Sequence, residues 1–247
     1  VRNLRQLYKY CSFCANSLSI LITGKAWYSK PADFNDPFDG DFSLDSSCSF
    51  DEYMEIFGHE IKPEIYESLK LEYCGSSDVL KPGKIKGLSA IAEALKNVGV
   101  LCLTTRRDSV LMWSHYADEH KGFTIKFDVP AIVPVNKVNY NSYIPDNPLS
   151  FFFKKSRNDG YLDYQFTKHV DWEYENEYRI SVNRGNRLVD IPGKIIQIDF
   201  GCRMQDSHKE TIFKAIKAIS YAEEIKLYYA VKAGNLKLVF LPYDIKT

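Results

Sequence analysis

The sequence predicts an α+β fold, with mixed or antiparallel central sheets and surrounding helices. Three observations predict the class. Residues 122–129, GFTIKFDV, alternate apolar and polar side chains, the period of a half-buried strand. Residues 207–220, SHKETIFKAIKAIS, carry apolar positions three and four apart, the period of an amphipathic helix. Strands and helices of these kinds follow one another without a regular strand–helix–strand repeat, which points away from a parallel α/β sheet. No internal repeat, low-complexity segment or linker cuts the chain, so one domain over residues 1–247 is expected.

The elements follow in order. Residues 4–13, LRQLYKYCSF, partly alternate and are rich in tyrosine, which predicts an opening strand. A short helix is expected over 16–25, with Asn16 as its cap and Gly24 as its stop. AWYS, 26–29, is a short second strand, and 30–40, KPADFNDPFDG, is a turn-rich loop. A helix is expected over 50–73, interrupted at Pro63, and another over 88–97. Residues 98–105 form a buried strand, and 108–120 a helix capped by Asp108 or Ser109. Strands are expected over 122–129, 134–141, 177–182, 194–200 and 236–243, and a late helix over 207–220, with 142–169 irregular or partly helical.

Composition excludes some classes. The chain has 247 residues, and 32 basic side chains balance 32 acidic ones, so no global charge draws it to nucleic acid or an anionic membrane. No stretch approaches 18 apolar residues, and no secretory leader is visible at the N-terminus, so a cytoplasmic protein with no membrane partner is expected. Of six cysteines only Cys11 and Cys14 have close spacing, and neither a second pair nor suitably spaced histidines complete a zinc site. Reduced, mostly buried thiols are the plain reading.

Four segments could carry chemistry. On a helix, Trp113, Tyr116 and His120 would share one face, and His115 and Glu119 a neighbouring one. Aromatic core packing is the alternative for Trp113. Metal binding by His115, Glu119 and His120 is disfavoured, because a spacing of five rotates the two histidines apart. In FNDPFDG, Asn35, Asp36 and Asp39 can close turns, and Asn35 or Asp36 could instead hydrogen-bond a ligand. In YENEYRISV, strand alternation would put Glu175, Glu177, Arg179 and Ser181 on one side and Tyr174, Asn176, Tyr178, Ile180 and Val182 on the other. A solvated face with a weak Glu177–Arg179 pair is the plain reading there. Between 140 and 169, Tyr140, Tyr143, Phe151–Phe153, Tyr161, Tyr164 and Phe166 interleave with Lys154, Lys155, Arg157 and Lys168. That mix could track single-stranded nucleic acid, or simply anchor a loop.

The segments LYKY, FNDPFDG, LMWSHYADEHKGFTIKFD, WEYENEYRI and IDFGCRM, in this order, resemble a large bacterial family known as a domain of unknown function. The resemblance covers nearly the whole chain. That family often carries a basic residue after YKY, where this chain has Cys11. The opening layout (strand, helix ending in glycine, short strand with an aromatic and a serine) and the late ENEYRIS are similar, more distantly, to ADP-ribosyltransferase toxins that modify DNA and RNA. The resemblance implies an NAD-dependent mono-ADP-ribosyltransferase, a toxin or anti-phage effector, with NAD as substrate, nucleic acid as acceptor and an antitoxin as partner. It implies an ADP-ribosyltransferase-like arrangement of the α+β fold, in which Tyr8 or Tyr10, then Tyr28 or Ser29, hold NAD; Asn35, Asp36 and Trp113, from their own segments, are further candidates for binding it. Glu177 would stabilise the ribosyl cation, with Glu175, Arg179, His115 and Tyr116 completing the catalytic set. The alternatives are a metal-dependent hydrolase or nuclease built on Glu175, Glu177, Asp36 and His115, and a non-catalytic ligand-sensing domain.

Overall fold

The structure, a computed structural model, describes residues 4–39, 67, 96–142 and 166–243. The expected helix over 50–73, apart from residue 67, residues 88–95 of the expected helix over 88–97, and most of segment 142–169 lie outside the described residues. Among the described residues no helix is long and apolar enough to cross a membrane. The chain divides into two compact units. The first comprises Val1–Ser29, Gly99–Val138 and Asp171–Thr247, and the second Lys30–Val98 and Asn139–Val170.

The first unit is α+β and is organised on one eight-stranded mixed sheet. Its strands are β1 (Leu4–Cys11), β3 (Gly99–Thr104), β4 (Phe123–Pro130), β5 (Asn136–Lys137), β8 (Glu177–Val182), β10 (Lys194–Phe200), β11 (Lys226–Ala233) and β12 (Lys237–Pro242). Their spatial order is β12-β11-β10-β4-β1-β3-β8-β5. Only β10 and β11 pair in parallel; the other neighbours are antiparallel. A separate hairpin-like pair joins β2 (Lys25–Tyr28) to β9 (Arg187–Asp190). Among the described residues, the α-helices of this unit are α1 (Ala15–Thr23), α2 (Val110–Tyr116) and α3 (Asp206–Lys217).

Register assigns the faces. Leu7 pairs with Phe127 and Phe127 with Ile195, while Ile125 pairs with Ile198 and Leu101 with Ile180. Directly opposed residues share a face, so these side chains form one apolar surface. Ile20 and Leu21 of α1 and Ile212 and Ile216 of α3 join it in the main core. The opposite face is polar at the centre. A bulge between Ile195 and Gln197 adds one residue to β10. It puts Gln197 and Asp199 on the face opposite Ile195, although strict alternation would group all three.

Most of the expected strands lie where periodicity places them; β9 and β11 were not expected, and four expected elements differ from their reading. Helix α1 starts one residue early: Cys14 is its N-cap and Ser17 bonds back to the Cys14 N–H, while Gly24 ends it in the left-handed conformation as expected. The expected helix 108–120 stops at Tyr116, because Asp118, Glu119 and His120 all take positive φ values of 46°, 52° and 69°. The expected strand 134–141 is two short strands, of which β5 pairs with β8. Residues 174–176 are not strand: Val170–Glu175 is a 3-10 helix, and Asn176 turns the chain with φ 44°. Asn tolerates that conformation better than most residues.

In the second unit, β6 (Asn139–Asn141) pairs in parallel with β7 (Thr167–His169). Pro31–Asp33 forms a 3-10 turn, and Asp39 and Lys168, both buried, form an ion pair at 3.6 Å.

Candidate active site on the polar face of the large sheet

One row of side chains crosses five strands of the polar face. Glu177 pairs with Thr104, Thr104 with Tyr8, Tyr8 with Lys126 and Lys126 with Gln197. The next row holds Arg179 beside Cys102, and Tyr10, Thr124, Asp199 and Tyr228. Helix α2 lies against this second row: Tyr10, Met112, Trp113 and Ala117 form a small second core.

Glu177 opens β8 and is 3% exposed; Arg179, on the same side two residues later, is 1% exposed. The expected solvated face is therefore buried. Arg179 donates from Nε to Oε1 at 2.9 Å and from Nη2 to Oε2 at 3.0 Å, a two-pronged fit of guanidinium to carboxylate. Glu175, at the end of the 3-10 helix, is 2% exposed. Its Oε1 accepts the Tyr116 hydroxyl at 2.5 Å, and its backbone carbonyl accepts Thr104 Oγ1 at 2.6 Å. Thr104 thus ties the 3-10 turn to the row that contains Glu177. Beside Tyr116, the rings of His115, Trp172 and Tyr174 sit 6.0–6.4 Å apart as an aromatic wall.

The structure brings Glu175, Glu177, Arg179, His115, Tyr116 and Tyr8 to one region of the first unit. Burial pushes the Tyr8 hydroxyl up, with Asp199 adding to the effect and Arg107 and Gln197 opposing it. The Cys102 thiol is pushed up by burial and then by Glu177.

Other expected site residues serve packing. Trp113 is fully buried and donates Nε1–H to the Arg107 carbonyl at 2.9 Å, so it pins the loop before α2. Tyr10 packs edge-on to Trp113 at 5.2 Å and donates its hydroxyl to the Arg106 carbonyl at 3.2 Å. Tyr28 belongs to the apolar core, where burial and then Asp190 push its hydroxyl to about 12. Ser29 bridges Val100 through paired backbone hydrogen bonds. His120 has left the helix and its ring stacks over Trp113 at 6.2 Å. Glu119 is exposed and paired with Lys121, apart from any histidine pair. Asn35 and Asp36 belong to the second unit, where Asp36 Oδ1 accepts the Phe38 N–H at 3.0 Å, as the turn reading expects. Lys168, offered as a phosphate contact, is buried against Asp39. Among the described residues no three of His, Cys, Asp and Glu gather as metal ligands.

Sequence reasoning missed Asp199, Arg107 and Lys126. Asp199 is 0% exposed; Oδ1 accepts Arg107 Nη2 at 2.6 Å and Gln197 Nε2 at 2.8 Å, and Oδ2 accepts Thr124 Oγ1 at 2.8 Å. Two polar residues inside the apolar run KIIQIDF were the available signal, since a buried carboxylate requires such partners.

Residues 112–180 match the model of a family described as a protein of unknown function (DUF2971). The matched stretch carries His115, Tyr116, Glu175, Glu177 and Arg179, and it is similar to that family without bringing an activity. No curated protein and no solved structure matches the chain.

Proposed function

We propose that the first unit is an NAD-dependent mono-ADP-ribosyltransferase working on the polar face of its large sheet. The observation that carries the reading is the register Tyr8–Thr104–Glu177. It sets a first-strand aromatic hydroxyl and a late glutamate on one face, two strand spacings or about 10 Å apart. The nicotinamide riboside portion of NAD, with its glycosidic bond, fits that span. As the bond breaks, its electron pair leaves with nicotinamide and positive charge grows on the ribose carbon. A carboxylate held in place stabilises that charge.

Arg179 locks the Glu177 rotamer through two hydrogen bonds, which is the pre-organisation such a role requires. Tyr116 and Glu175 form the acceptor side: the attacking group would give its proton to this phenol–carboxylate pair. The exposed His115 and the half-buried Trp172 and Tyr174 are the surface an acceptor base would stack on. A nucleic-acid acceptor and a toxin role belong to the same proposal.

The test is incubation of the folded protein with labelled NAD and, separately, total RNA, DNA and protein. Wild type is expected to release nicotinamide and transfer label, and Glu177→Gln to lose on the order of a hundredfold. Folded wild type that neither cleaves NAD nor transfers label would overturn the proposal. A cellular effect that survives Glu177→Gln would favour a sensor instead.

A further inference from the structure

We propose that Arg107, Lys126 and Tyr8 form a site for a phosphate-bearing anion on the polar face, apart from the Glu177–Arg179 pair. Three observations support it. The first is the use of charge. Asp199 is the buried carboxylate of this cluster, and its oxygens are taken by Arg107, Gln197 and Thr124. Lys126, next to Tyr8 in the row, forms no ion pair among the described residues; its ammonium lies 5.1 Å from the centre of the Tyr8 ring. Asp128 shares its strand face but acts on it only at longer range. Of the two cations, Arg107 alone binds a carboxylate directly, and Lys126 has Asp199 and Asp128 only at longer range.

The second observation is a surplus of donors. Arg107 gives Nη2 to Asp199, while its Nε is buried without a hydrogen-bond partner. A guanidinium carries five N–H donors, and one contact to a carboxylate takes only part of them. The third is rigidity. The guanidinium carbon lies 4.5 Å from the Tyr228 ring centre and 4.0 Å from that of Phe240. Held between aromatic surfaces and a carboxylate, Arg107 loses little freedom when it binds. Burial and then Arg107 hold the Lys126 ammonium below its ordinary value, a strain that a bound anion would relieve.

Phosphate chemistry fits best, because a phosphoryl group offers several oxygens to a planar fork and a point charge at once. The group could belong to free phosphate or to a nucleoside diphosphate. That it belongs to NAD's pyrophosphate rests on the transferase reading; the anion site does not.

Calorimetric titration of the full chain with inorganic phosphate, pyrophosphate and ADP tests it. Pyrophosphate or ADP is expected to bind. Lys126→Gln should weaken that binding about tenfold or more, while Lys214→Gln on the exposed side of α3 leaves it unchanged. Stronger binding of ADP than of pyrophosphate assigns a nucleotide, and the reverse assigns a free anion. As a second measurement on the unaltered protein, pyrophosphate should slow acylation of Lys126 but not of Lys214. Absence of binding by all three probes at millimolar concentration, or lack of protection at Lys126, overturns the site. Binding without nicotinamide release keeps the anion site and removes the transferase reading.

Discussion

Glu177 and Arg179 stand two residues apart on β8, are 3% and 1% exposed, and join through hydrogen bonds of 2.9 and 3.0 Å. Alternation puts both on one face, and burial turns what would be a weak surface pair into a strongly coupled one. Removing one partner of a buried pair takes from the other its main compensating contact, at a cost of about 3–5 kcal/mol. Arg179→Met is therefore expected to lower unfolding free energy by that amount in urea titrations. The double variant Glu177→Met with Arg179→Met should recover most of the loss. If Arg179→Met is as stable as wild type, the pair is not the buried unit described.

The Tyr116 hydroxyl reaches Glu175 at 2.5 Å, a bond between a phenol and a carboxylate that is 2% exposed. Tyr116→Phe keeps the ring and deletes the donor. The expected loss of stability is about 1–3 kcal/mol, the range for a buried polar group deprived of its partner. In the transferase reading, transfer to acceptor should fall more than hydrolysis of NAD, because the pair faces the acceptor and not the leaving group. Parallel assays of label transfer and nicotinamide release separate the two. An equal fall in both would place Tyr116 elsewhere in the reaction.

Much of the sheet was legible, because strands such as β4 and β8 advertise themselves by alternation or β-rich composition. Gly24 signalled the end of α1 for the reason it serves there, its freedom to take φ 65°. Three kinds of feature were not legible. The bulge in β10 moves Gln197 and Asp199 to the polar face, and a period-two pattern carries no mark of an inserted residue. The left-handed run Asp118–His120 breaks the helix expected to continue there, although the helical spacing of Trp113 and His120 predicted a shared face. The two rings do meet, by the chain turning back over the helix. The buried Glu177–Arg179 pair reads in sequence like a solvated edge, since residue type alone does not report which face of a sheet is covered. Asp36 Oδ1 accepts the Phe38 N–H, as its turn chemistry suggested.

Gly201 follows β10 where the chain passes under the His120 turn. A Cβ built there falls far inside van der Waals contact of the His120 carbonyl oxygen and 2.9 Å from the Gly122 carbonyl. Both obstacles are backbone, held by Gly201 N–H to Gly122 O at 2.9 Å and Arg203 N–H to His120 O at 3.0 Å, so neither can swing aside. Gly201→Ala is expected to destabilise by about 3 kcal/mol, the upper end of the usual range for overpacking. Gly234→Ala, whose Cβ meets nothing within 4 Å, is the control. Thermal melts of the two variants should separate clearly; matching melts would contradict the close approach.

His120 gives the fold a pH dependence with a definite sign. Its Nε2 faces Ser114 Oγ at 3.2 Å, and its Nδ1 is buried without a partner. Burial, then the positive charges of Arg203 and Lys232, hold the ring below its ordinary value of 6.5. The folded protein therefore takes up this proton less readily than the unfolded chain. Stability from this residue is complete above the unfolded value, declines as pH falls through it, and stops declining below the folded value. Wild type should lose melting temperature between about pH 7 and pH 5, and His120→Gln should flatten part of that slope while leaving the alkaline side unchanged. Ring exposure limits the size of the effect, so the comparison rests on the difference in slope between the two proteins. A variant with an equal or steeper acid slope would show that His120 is not depressed by this environment.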